Sequence, residues 1–78
     1  MIAKMYSFSG GTKDLVATIT LLKNGVAKIE TVYDILKEDL EEGFPSSKGG
    51  RVTPENGRAF IEELPKSYNG SYIKVEIT

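Results

Sequence analysis

The stretch "SSKGGR" at residues 46–51 sets hydroxyls, two glycines and two cations side by side. Ser47, Lys48, Gly49, Gly50 and Arg51 are the ingredients of an anion nest, in which backbone N–H groups converge on a phosphate that nearby cations neutralise. A phosphate loop also needs a strand before it and a helix after it, with the helix N-terminus aimed at the anion. Here a helical pattern comes first, and Val52 and Thr53 separate the glycines from the next helical pattern. The spacing G-x-x-x-x-G-K-[ST] is absent. The segment therefore reads as a mobile, solvated connector. "SGGTKD" at residues 9–14 has similar ingredients but falls where a hairpin turn is expected.

Two other groups of residues have chemistry to offer. Glu38, Asp39, Glu41 and Glu42 form one acidic cluster, and Glu62 and Glu63 another. Paired carboxylates can do general acid–base work when a cleft holds them together. Nothing in the sequence joins these clusters, and acids on an exposed helix face ordinarily serve solubility. Tyr6, Tyr33, Tyr68 and Tyr72 are the tyrosines. Aromatics on a sheet can stack bases while lysines meet phosphates. Tyr72 and Lys74 fall on the same outward face of the last predicted strand, so they are weak candidates for such contacts. The plainer expectation places Tyr6 and Tyr33 in the core or at its rim with a wet hydroxyl.

The residue inventory narrows the field. The chain of 78 residues has no histidine and no cysteine. Ser-His-Asp and Cys-His catalysis are excluded, and so is a disulfide framework. No ordinary zinc ligand set exists, and the acids lack the calcium-loop pattern. No metal, cofactor or catalytic residue is expected. Ten basic residues face eleven acidic ones, whereas a protein that grips a nucleic-acid backbone carries a basic excess. The charge is uneven along the chain. Residues 34–45 carry −4, from five acids and one lysine, and residues 46–58 carry +2, from three bases and one acid. The start, "MIAKMYSFSGG", lacks the apolar core of a signal peptide, and no apolar run reaches membrane-spanning length. A cytoplasmic location is the expectation.

The elements that must position these residues can be read from periodicity. Residues 2–8 read as a strand with Ile2, Tyr6 and Phe8 on one face and Lys4 as an exception. Residues 15–22 and 26–33 read as a hairpin around "KNG". A two-residue turn there would mix apolar and charged groups on one face. A three-residue turn, Lys23-Asn24-Gly25, puts Leu15, Ala17, Ile19 and Leu21 with Ala27, Ile29 and Tyr33, and sets Thr18 opposite Glu30 and Thr20 opposite Lys28. One step of slip exchanges the faces, so the pattern selects the second register. Gly25 then takes the left-handed position of a bulged turn.

"DILKEDLEEG" reads as a short helix capped by Asp34 and stopped by Gly43, with Leu36 and Leu40 on its buried stripe. "TPENGRAFIEELP" reads as a second, capped by Thr53, with Pro54 in its first turn, Phe60, Ile61 and Leu64 facing inward, and Pro65 as its end. Gly57 is a weak point within it. Residues 71–78 read as a closing strand with Ile73, Val75 and Ile77 facing in. The expectation is a single α+β domain of order βββααβ, a small antiparallel sheet with two helices.

The C-terminal third, "TPENGRAFIEELPKSYNGSYIKVEI", resembles the endings of small uncharacterised prokaryotic proteins in its Pro-acid-x-Gly start, apolar helix and Ser-Tyr-Ile strand. The resemblance implies no activity. A short chain with little core and an open sheet gains stability from company. The expected role is a non-catalytic module for protein interaction or self-association, with the first or last strand free to pair edge to edge. Weak binding of nucleic acid or phosphate through the glycine-rich loops is the alternative.

Overall fold

A computed structural model describes residues 1–23, 25–43, 53–70 and 72–78. The elements run β1 (Ile2–Ser9), β2 (Thr12–Leu21), β3 (Ala27–Glu30), α1 (Asp34–Gly43), α2 (Pro54–Tyr68) and β4 (Ile73–Ile77). The strands make one antiparallel sheet in the order β3-β2-β1-β4. Both helices contribute to a core on one face of that sheet. There Leu40 of α1 and Ile61 and Leu64 of α2 meet Ala3, Met5, Ala17, Ile19 and Val75, all buried. The α+β class and the βββααβ order are those the sequence pattern predicts.

The β2–β3 hairpin takes the expected register, with Thr18 opposite Glu30, Ile19 opposite Ile29 and Thr20 opposite Lys28. The Leu22 N–H donates to the Val26 carbonyl at 2.9 Å, and Gly25 has φ of 87°. Side-chain chemistry decides this register, because the alternative would bury Lys28 and Glu30 in place of Ile29.

Four expectations are corrected. First, β1 turns Ala3 and Met5 to the helices, and Ile2, Tyr6 and Phe8 to the open face. Strands flank β1 on both sides, and its pairing sets Ala3 and Met5 beside Ile19, Ala17, Ile77 and Val75. Lys4 then stays exposed to water, and Tyr6 is half-buried. Second, the β1–β2 register shifts between Met5 and Tyr6, so that Val16 is an extra residue between Ala17 and Leu15. This bulge moves Leu15 out of the core row, and it is 55% exposed.

Third, Asp34 lies within the first turn of α1, and the Lys37 N–H donates to the Tyr33 carbonyl. Tyr33, placed with the core face in the sequence pattern, is exposed at this turn. Fourth, Pro65 does not end α2, which continues to Tyr68. Proline forfeits the bond to the carbonyl four residues back. The turn beyond it is held by tertiary contacts, because Tyr68 packs on the core and bonds to α1. The N-terminus of α2 is as expected, with the Asn56 N–H donating to Thr53 Oγ1 at 3.2 Å.

Gly57 explains how α2 docks. A Cβ built there would lie 2.5 Å from Leu21 Cδ1 and 2.8 Å from the Gly25 carbonyl oxygen. The helix crosses the β2–β3 turn where only a hydrogen fits. Leu21 can swing aside, but the Gly25 carbonyl is backbone and cannot. Gly57→Ala should therefore lower stability by roughly 1–2 kcal/mol, since a steric cost of ~1–3 kcal/mol outweighs the helix propensity gained. Chemical denaturation checks this, and a stabilised variant would contradict the close approach.

Candidate functional site

The bulge in β2 contributes to a broad concavity. The Thr31 hydroxyl donates to the Val16 carbonyl at 2.7 Å, and Thr31 Oγ1 accepts from the Tyr33 N–H at 3.2 Å. One side chain thus satisfies the bulged carbonyl and turns the chain from β3 into α1. Losing that partner would strand a half-buried carbonyl, which costs about 1–3 kcal/mol. Behind this tie lies a groove of about 700 Å³ between α1 and the far end of the sheet. Val16, Leu36 and Ile73 give it apolar surface, Ser7 lines it from β1, and Glu38, Asp39 and Glu42 line it from α1. Tyr33 and Ile35 complete it, and Ile35 is 85% exposed. Val32 beside them is 87% exposed. Three consecutive or near-consecutive apolar residues facing water beside a groove are a concentrated apolar surface, unlike single exposed apolar residues.

A second cleft, of about 580 Å³, separates the helices and is lined by Asp39, Glu42, Phe60, Glu63, Leu64 and Tyr68. It brings the two acidic clusters together, which the sequence did not reveal. Two of these acids have partners within the chain. Asp39 accepts from the Tyr68 hydroxyl, and Glu63 is 3.2 Å from Lys66 Nζ. All three acids are exposed, whereas acid–base catalysis is served by a water-poor site. Among the described residues no three acids converge as metal ligands.

The open face of the sheet carries the aromatics. Tyr6 stands opposite Leu15 and Lys74, and the Phe8 N–H donates to the Tyr72 carbonyl at 2.8 Å. Tyr72 is 74% exposed, and Lys74 is exposed beside it. The two therefore do share the outward face, joined by Tyr6 and Phe8, which the sequence reading placed together on the first strand without assigning them to this side. Lys13 spans the face, its Nζ 4.2 Å from the centroid of the Tyr6 ring and 3.3 Å from Glu76 Oε2. Ser47, Lys48, Gly49, Gly50 and Arg51 lie outside the described residues, as does the expected mobility of their connector.

Of the first and last strands, both expected as edges, β4 is an edge and β1 is not. β1 is interior, so it cannot pair with another chain. On β4, the Val75 N–H donates to Asn69 Oδ1 at 2.8 Å and the Ile73 carbonyl accepts from the Gly70 N–H at 3.0 Å. These groups, which would template an added strand, are taken by the chain's own turn. Among the described residues no helix is long and apolar enough to cross a membrane.

Burial, and then the hydrogen bond to Asp39, hold the Tyr68 phenol well above the ordinary tyrosine value. An unfolded tyrosine ionises near pH ~10, so the folded state holds this proton to higher pH than the unfolded chain does. The stability tied to it is intact below about pH 10 and is lost as pH rises from there. Melting temperatures of the wild type and Tyr68→Phe should keep a constant difference from about pH 7 to 9, and the wild type should fall relative to the variant above about pH 10. A constant difference throughout would contradict the linkage.

No protein-family model matches this chain, and neither does any curated protein or solved structure, so the reading of its function rests on its own geometry.

Proposed function

We propose that this protein is a non-catalytic, cytoplasmic interaction module that docks another protein in the groove beneath α1. The observation that carries the reading is the apolar groove rimmed by Tyr33 and Ile35, with Val32 exposed next to it. Exposing such residues side by side costs solubility and does nothing for the core, which Leu36 and Leu40 serve from the same helix. The absence of histidine and cysteine argues on the same side, because it removes the usual bases and nucleophiles.

A second reading, weak binding of single-stranded nucleic acid or an anion, draws on Tyr6, Phe8, Tyr72 and Lys74 on the open face. It ranks lower because Lys13, the cation set against the Tyr6 ring, is paired with Glu76, and the chain as a whole has eleven acids against ten bases. Phosphate contacts need available cations.

Two measurements separate the readings. Affinity capture followed by mass spectrometry should retain a protein on the wild type that Ile35→Ser loses, with the circular dichroism of the two proteins alike. Labelled oligonucleotides at about 0.15 M salt should show no submicromolar binding. Equal capture by the variant would count against the groove. Tight oligonucleotide binding lost in Tyr72→Ala would favour the second reading.

A further inference from the structure

Resting on the reading of the α1 groove as a docking site, we infer that its occupant is a cationic apolar segment of a different protein, bearing lysine or arginine beside apolar side chains. The groove pairs two chemistries. Its apolar part is Val16, Leu36, Ile35 and Ile73, and its charged part is Glu38, Asp39 and Glu42, with no lysine or arginine among the described lining residues. The whole of α1 carries five acids and one lysine. Carboxylates beside an apolar trough recognise a segment whose apolar side chains fill the trough and whose cations reach the rim.

The last turn of α1 contains no basic residue of its own, and Glu42 stands where the carbonyl end of the helix dipole is already negative. A cation arriving at this end relieves the repulsion, so binding should also steady α1. A second copy is a poor occupant, because a two-fold contact through this groove would set two such acidic helices against each other. The β4 edge gives a second copy little help, since Asn69 and Gly70 occupy part of it.

The test uses the intact chain and three short synthetic peptides of shared apolar sequence, one with lysine, one with glutamate and one with serine at the polar positions. Amide chemical shifts and fluorescence anisotropy are followed at about 0.15 M salt. The lysine peptide should bind and shift the amides of Val16, Ile35, Leu36 and Ile73, and the glutamate peptide should not. The double variant Glu38→Gln, Glu42→Gln removes exposed charges only, and should weaken the lysine peptide roughly tenfold. Ile35→Ser should weaken it by the apolar route.

Equal binding of all three peptides in the groove, unaffected by the double variant, would overturn the cationic partner and leave the docking reading standing. Shifts confined to other surfaces, or no binding by any peptide, would overturn both. Groove amides that move on dilution of the protein alone would identify a second copy as the occupant and overturn the inference.

Discussion

The hydrogen bond from the Thr31 hydroxyl to the Val16 carbonyl ties together the parts on which the site depends. An extra residue in β2 reverses which side chains face the helices. On one side of it Ala17, Ile19 and Leu21 continue the core row. On the other, Leu15 passes to the open face, and Val16 lines the groove. A bulge leaves backbone groups without ladder partners, and a buried carbonyl without a partner is costly. Thr31 supplies that partner and, through the Tyr33 N–H, sets where α1 begins. The groove, its exposed rim and the direction of α1 thus share one origin.

The electrostatics follow from this layout. The acids of α1 lie on the helix side of the sheet, whereas Lys4, Lys13 and Lys74 lie on the open side with Tyr6 and Phe8. A net charge of −1 hides this division. Along the sequence the acids of α1 fall in a single run. In the fold, Glu38, Asp39 and Glu42 of α1 line the groove. The open face carries an ion pair and a cation–π contact of its own, each worth on the order of 1 kcal/mol or less at exposed positions. The two faces therefore differ in kind. The open one carries a charge pair and a cation–π contact of its own, and the groove's described lining is apolar and anionic.

Much of the fold was legible because burial and charge agree there. The β2–β3 register, the extent of α1 and the Thr53 cap each follow from side-chain chemistry within a few residues. Gly57 was visible as an anomaly, a helix-weakening residue, and the structure supplies its reason in the Gly25 carbonyl. What escaped depends on neighbours distant in sequence. "IAKMYSF" alternates ambiguously, and only the strands on either side make Ala3 and Met5 the inner pair. "DLVATI" bears no mark of a bulge, since Val and Leu suit either face. Pro65 reads as a stop until Tyr68 is seen to anchor the next turn. The groove was illegible for the same reason, because it joins Ser7, Val16, Ile35 and Ile73, which lie on four elements. Exposed Val32, Tyr33 and Ile35 offered a signal, as apolar residues outside the stripe of Leu36 and Leu40.

The account stands on the reversal of faces at Val16, and nuclear Overhauser contacts from the Leu15 methyls test it most directly. If Val16 is the extra residue, those methyls lie against the Tyr6 ring on the open face, and the Val16 methyls contact Leu36 or Ile73. Contacts from Leu15 to Leu40 or Ile61 instead would place it in the core, remove the bulge, and with it the groove on which the functional reading rests.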